Sequence, residues 1–359
     1  MQIQRALFII FLAIFTGAGS VQAGEEPEQA AHSQGFDAGK FVMEHVSDSY
    51  EWHIATFGET QISIPLPIIL YSADKGWNVF MSSGFHHGQE SYNGFRIEKE
   101  GKNEGKIVEV NDNGEVKDLP INLSITKTVA GIFVSVIILL LIFLSVARKA
   151  RQRVNQAPSG LQSLLEPVIL FVRDDVAKPA IGQKRYEKFM PYLLTVFFFI
   201  LGNNLLGLIP IFPFGANVTG NIAVTMVLAL FTFFFTTFNT NRHYWKEIYN
   251  PDVPWWLKYP IPLMPIVELT GVITKPFVLM VRLFANMLAG HLIVTVFVSL
   301  IFVFARLMGV EAGLGVSVIS VLFSVFMLLL DVLVSFIQAY VFTLLSALYF
   351  GMASPEDHH

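Results

Sequence analysis

Glu268, Lys275 and Arg282 recur at seven-residue intervals inside an otherwise apolar stretch, and Asp331 and Gln338 repeat that interval in the next one. On a helix a step of seven drifts by only about 20°, so each set lies along one stripe. A guanidinium keeps its proton at any physiological pH, so Arg282 cannot relay protons; it can act only as a fixed positive charge, a barrier and a counter-ion. At the centre of a bilayer such a charge costs from about 2.5 kcal/mol on insertion scales to over about 10 kcal/mol in simulations, so water or a counter-charge must meet it. His291 differs in kind. Imidazole titrates near pH ~6.5, and the Asp331 carboxylate is able to hold or pass the same proton, which makes these two the relay candidates. A static ion pair within the chain fits Arg282 poorly, because Glu268 lies about 21 Å away along the helix. Lys275 and Glu268 are equally readable as side chains that snorkel to an interface. Asn286, Gln338, Asn204 and Asn217 are equally readable as polar glue between helices.

The elements that must position these groups are membrane helices. Five apolar regions run over about 127–147, 190–210, 218–238, 263–308 and 314–350. The fourth extends for about 40 residues, or about 60 Å as a helix, against a hydrocarbon core of about 30 Å; it must incline steeply or bend, with Pro276 the natural bending point. With the fifth it forms a long antiparallel hairpin turning within Met308–Gly315. If that turn centres near residue 310 or 311, pairing sets Arg282 level with Gln338 and His291 level with Asp331. His291 lies about 180° around the helix from Arg282, so the two layers face different surroundings.

Hydrophobic residues make up 53% of the 359 and charged residues 14%, a lipid-embedded balance. The net charge of -4 and the lack of a dense basic tract exclude nucleic-acid binding. There is no cysteine, which removes thiolate metal sites, disulfides and cysteine nucleophiles; His86–His87, with His45 and His53, lack metal-site spacing. Neither cofactor nor metal is expected.

Residues 1–23 read as a cleaved signal peptide: Arg5, a short apolar run Ala6–Phe15, then small residues ending at Ala23. Residues 24–124 read as an extracytoplasmic α+β domain, with a short helix over Phe41–Ile54, a strand over Ile62–Tyr71 interrupted by Pro65 and Pro67, and a hairpin joining 106–110 to 115–119. Residues 125–359 are the membrane domain. Cations at Arg148, Lys149, Arg151, Arg153, Lys184, Arg185 and Lys188, and again at Arg242, Lys246 and Lys258, set the N-terminus outside and the C-terminus in the cytoplasm. Leu161, Leu164, Leu165, Val168, Ile169 and Val172 recur at helical spacing beside Glu166, Arg173, Asp174 and Asp175, giving an interfacial helix or, alternatively, one packed on the core. The fold class is an all-α polytopic membrane protein with a small N-terminal α+β domain.

The run from Glu268 through Lys275-Pro276, then Arg282 through Asn286 to His291, followed by Asp331, Ile337-Gln338 and Tyr349-Phe350-Gly351, closely resembles the F-type ATP synthase subunit a family, over roughly residues 120–355. Asn204 and the segment Asn217–Thr225 resemble it too. The resemblance implies a stator of a rotary ATP synthase in the bacterial inner membrane, with c-ring subunits, peripheral-stalk b subunits and lipid as partners and no nucleotide chemistry of its own. It implies that Arg282 is the essential arginine between two proton half-channels, with Asn286 and Gln338 beside it. Glu268 then belongs to the cytoplasmic half-channel, and His291 with Asp331 to the outer one. The acid and the imidazole are exchanged relative to some bacterial members, and the signal peptide and outer domain depart from the shortest ones. A secondary transporter would show internal repeats and paired broken helices, and a membrane hydrolase would need a nucleophile or metal motif; neither pattern is present.

Overall fold

A computed structural model describes residues 47–57, 60–86, 88–98, 103–111, 115–152, 157–209, 213–240, 248–249 and 263–353. The expected signal peptide, the first part of the expected outer domain and the extreme C-terminus lie outside the described residues.

The described N-terminal part is β-rich. Strands β1 (Glu51–Phe57) and β2 (Thr60–Pro65) form an antiparallel pair, with Trp52 opposite Ile64. Strands β3 (Pro67–Ser72), β4 (Gly76–Met81) and β8 (Ile121–Asn122) form a second sheet in the order β4-β3-β8, and β5 (Phe95–Ile97), β6 (Ile107–Val110) and β7 (Val116–Asp118) a third. The expected helix over Phe41–Ile54 is not found where it can be seen. Glu51–Ile54 lie in β1, because the aromatic and β-branched residues of EWHIATF suit a paired strand; 41–46 are outside the described residues. The single expected strand over Ile62–Tyr71 is two strands in different sheets. Pro65 and Pro67 lack the N–H a continuous ladder needs, and Leu66 between them exchanges bonds with Ser82, donating to Ser82 Oγ at 3.0 Å and accepting from Ser82 N at 3.0 Å. The hairpin expected from 106 to 119 is present as β6–β7. Ile68, Leu70, Phe85, Phe95 and Ile107 fill the core, and the buried Glu109 carboxylate is met by the Ser72 hydroxyl and, at 3.6 Å, by Lys75.

Strand β8 leads within a few residues into helix α1 (Lys127–Gln152), whose last turn carries Lys149 and Arg151 against the carbonyl end of the helix. Helix α2 (Leu161–Phe171) continues through one π-helical stretch, Val172–Ala177, into the short α3 (Lys178–Ile181). In that stretch Arg173 and, one turn on, Lys178 hold the Asp174 carboxyl well below the usual carboxylate range. Of the two readings of 161–172, packing on the core describes one face of α2: Phe171 lies against Phe336 and Tyr340, while Leu161, Leu164 and Leu170 stay exposed. Helices α4 (Tyr186–Gly207), α5 (Ile222–Phe238, capped by Asn221 accepting from Ala223 N), α6 (Leu263–Met308) and α7 (Val310–Ala353) complete the membrane part.

Helices α1, α4, α6 and α7 are long and apolar enough to cross a bilayer, whereas α5 has 17 residues. Pro276 sits inside α6 without ending it. The turn between α6 and α7 is tighter than expected: Gly309 alone separates them, at φ +92°, a left-handed conformation that glycine adopts without Cβ strain. The core runs through α4, α6 and α7, with Leu193, Phe197, Leu279, Leu283, Ala339 and Phe342 buried together. Gly351 lets α7 approach the backbone of α3, since a Cβ there would collide with the carbonyl of Ala180.

Candidate functional site

Four contacts fix the register of the α6–α7 hairpin. Beside the turn, Gly313 is so close to Ala305 that a Cβ on it would stand 2.5 Å from the Ala305 methyl. Further along, the Phe297 and Phe323 rings stack at 5.5 Å. A Cβ on Gly290 would come within 2.5 Å of Asp331 Oδ1, and at the far end Lys275 Nζ lies 5.5 Å from the Tyr349 ring centre. Arg282 falls between these last two rungs, in the stretch that faces Gln338, and His291 follows Gly290 in the Asp331 layer. The Gly290–Asp331 approach puts His291 next to the Asp331 layer, as expected from the spacing.

The layers have different surroundings. Arg282 is exposed on the outer face of the hairpin, as is Asn286 one turn on, while Leu279 and Leu283, roughly a quarter-turn around α6, are buried. Among the described residues no carboxylate stands within ion-pair distance of Arg282, and no hydrogen bond joins it to Gln338 or Asn286. Gln338 is buried on α7, 8% exposed. Glu268 and Lys275 are half-buried on the same stripe, towards the α6 N-terminus. Lys275 lines a crevice of about 30 Å³ with Thr232, Thr236, Thr237 and Tyr349. Beside that crevice the Tyr192 hydroxyl meets Thr232 Oγ1 at 2.8 Å.

His291 turns inward. Its Nε2 lies 3.3 Å from the carbonyl oxygen of Gly207, the last residue of α4, and its Nδ1 is buried without a partner. Asp331 is 9% exposed, with Oδ2 also buried and unpartnered. Imidazole and carboxylate share a layer across the Gly290 backbone but are not within ion-pair distance of each other. One turn before Gly207, Asn204 Oδ1 accepts a 2.5 Å hydrogen bond from the Thr219 hydroxyl, leaving Asn204 Nδ2 unpartnered, and Asn217 Nδ2 and Asn203 Oδ1 are in the same condition. Buried polar atoms are almost always satisfied, so unpartnered atoms on Asp331, His291, Asn203, Asn204 and Asn217 form a group with unused hydrogen-bonding capacity. The sequence reading pointed to Asn204 and to the Asn217–Thr225 segment, which contains Thr219, and missed Asn203. The signal that could have found it is the doubled Asn203-Asn204 in an apolar helix, where an amide demands a partner.

The ATP synthase A chain family matches residues 129–351, and a domain of unknown function (DUF8433) matches residues 41–127. An ATP synthase subunit a of Chloroherpeton thalassium is 43% identical over 245 residues, covering 66% of this chain and 69% of its own. One from Chlorobium phaeobacteroides is 35% identical over 346 residues, covering 94% of this chain and 82% of its own. One from Myxococcus xanthus is 40% identical, covering 67% and 76%. With matches of this extent over the helices that carry both polar layers, the chain is a multi-pass membrane protein belonging to the ATP synthase A chain family.

Proposed function

We propose that this chain is the proton-translocating stator subunit of a rotary F-type ATP synthase, presenting Arg282 to carboxylates carried past it on a ring of c subunits. The observation that carries this reading is the exposure of Arg282 on the long hairpin with no acid among the described residues within ion-pair distance of it. A guanidinium left without a counter-charge in hydrocarbon is costly, so the counter-charge comes from another molecule. When a ring carboxyl reaches Arg282, the fixed cation favours loss of its proton, and the same charge stops protons from passing directly between the two sides. Asn286 and Gln338 flank that encounter.

Two half-channels serve it. His291 and Asp331, with Asn204, Thr219 and Asn217, form the outer one; because imidazole and carboxylate do not touch, a water must bridge them. Glu268, with the crevice beside Lys275 and Tyr349, forms the cytoplasmic one. In this arrangement residues 1–23 are a signal peptide, 24–124 an extracytoplasmic domain and 125–359 the membrane domain, with the C-terminus in the cytoplasm of a bacterial cell. Peripheral-stalk b subunits hold the chain against the turning ring. ATP chemistry takes place on other subunits.

The test is proximity. Asn286→Cys, one turn from Arg282 on the exposed face, is expected to cross-link to the helix of a c subunit that bears the carboxyl. Cross-links formed only with lipid or with soluble subunits would reject the ring interface.

A further inference from the structure

The β1–β2 hairpin does not stand apart from the membrane part. Trp52, 5% exposed, packs with Ala216 and Val218 of the loop between α4 and α5, flanked by Ile64 of β2 and by Ala130 and Ile132 of α1. Asp48, just before β1, accepts from the backbone N of Thr128 at 3.0 Å in the first turn of α1, and its other oxygen lies 3.5 Å from Nδ2 of Asn221, the cap of α5. Lys127 N donates to the carbonyl of Ser49 at 2.8 Å. The loop is thus gripped from above by a large aromatic ring and tied at its end by a carboxylate.

Beneath the grip lies polar machinery. Between the two Trp52 contacts, Ala216 and Val218, stands Asn217, whose Oδ1 accepts from Gly220 N while its buried Nδ2 has no partner, and Thr219, after Val218, makes the 2.5 Å bond to Asn204. A cavity of about 10 Å³, the room of roughly one water, is lined by Gly131, Asn203, Ala216 and Val218. Gly131 makes the seal tight, since a Cβ there would stand 2.6 Å from the Ala216 methyl.

We infer that the β1–β2 hairpin is a fixed clamp on the outer proton inlet, in which Trp52 and Asp48 are positioning residues that hold the α4–α5 loop, and with it the Asn204–Thr219 pair, in the geometry through which protons reach His291. The inference rests on the proton-translocating reading above and gives this β-rich segment a task in it. With the clamp in place, access to the inlet is restricted and its hydrogen-bonding groups are pre-set. Loosening it lets the loop open locally, so protons are captured less efficiently although the ring interface is intact.

The experiment uses vesicles of the complete complex, with the proton concentration on the outer side varied and the rate of ATP synthesis measured. Trp52→Ala is expected to raise the outer proton concentration for half-maximal rate about tenfold, with the maximal rate held within about twofold; Trp52→Phe, which keeps a ring in the socket, restores the wild-type profile. An unchanged midpoint, or a lost maximal rate with no shift, overturns the clamp. Arg282→Ala run in parallel separates the two ideas: coupling that survives it removes the proton-translocating reading, whereas coupling lost there with an unmoved Trp52→Ala midpoint removes only the clamp. Should Trp52→Ala fail to assemble, the chain's lack of cysteine allows a second measurement. Asn217→Cys, probed from the outer side with a membrane-impermeant maleimide, is expected to label about tenfold faster when combined with Ile64→Ala; equal rates with and without that change also overturn the proposal.

Discussion

The two faces of α6 carry opposite kinds of incompleteness. On one, Arg282 and Asn286 are exposed, and the charge has no partner because none of the described residues offers one. On the other, His291 is enclosed, and its Nδ1, like Asp331 Oδ2 and Asn204 Nδ2, is without a partner although surrounded by protein. Exposure of a charge on an apolar helix leaves a cost that water or a counter-charge must offset, and in the proposed function that counter-charge is a carboxylate carried by a second macromolecule. Orphaned polar atoms in the interior call for water, which is small enough to reach them and able to make and break bonds as protons pass. One helix thus separates an exposed charge from a set of enclosed polar atoms, and the proposed function assigns the first to a moving protein partner and the second to water.

That contrast orders the mutational outcomes. Arg282→Ala should be the most damaging, reducing proton-driven ATP synthesis by about a thousandfold, the scale of about 4 kcal/mol of lost electrostatic stabilisation, while ATP hydrolysis by the detached soluble sector is retained. Substantial synthesis in that variant would erase the distinction between the faces. On the inner face, His291→Ala and Asp331→Ala should each lower proton-driven synthesis by about a hundredfold, with the exchanged pair His291→Asp/Asp331→His recovering more than either; such a rescue is expected of a general acid–base pair and not of packing. If all three were equally impaired, the relay would be rejected. Gly290→Ala places a methyl 2.5 Å from Asp331 Oδ1 and must push the carboxylate aside. A fall in synthesis of about tenfold with normal assembly is expected, on the scale of 1–3 kcal/mol for overpacking. The smallest effect should follow Thr219→Val, which removes the hydroxyl bonded to Asn204. A few-fold fall is expected, about 1 kcal/mol for one neutral hydrogen bond, and a null effect in the same assay would place that bond outside the route.

The register of the hairpin was legible because it follows from two numbers, the turn position and the antiparallel count, and polar residues inside long apolar helices are conspicuous. What those residues touch was not legible. Gly290 carries no side chain to announce that a carboxylate lies against it, and the absence of a direct His291–Asp331 bond depends on side-chain directions that spacing does not set. The β-rich segment was read less well. Phe41–Ile54 has no strong period, and the strand identity of Glu51–Ile54 is decided by pairing with β2. The contact from Asp48 to Asn221 joins positions 173 residues apart and has no trace in local pattern.

The unequal lengths of the helices carry a consequence for the bilayer. At 46 residues α6 is about 69 Å long, whereas α5, at 17, is about 26 Å. A helix of that first length exceeds an oily slab about 30 Å thick more than twofold, so it must incline, bend or reach beyond the slab, and its two ends can emerge well apart in the membrane plane. Under the proposed rotary role, protons that arrive near one end and depart near the other are displaced sideways as well as across, and a force along that sideways path, acting at the rim of a circular neighbour, is a torque.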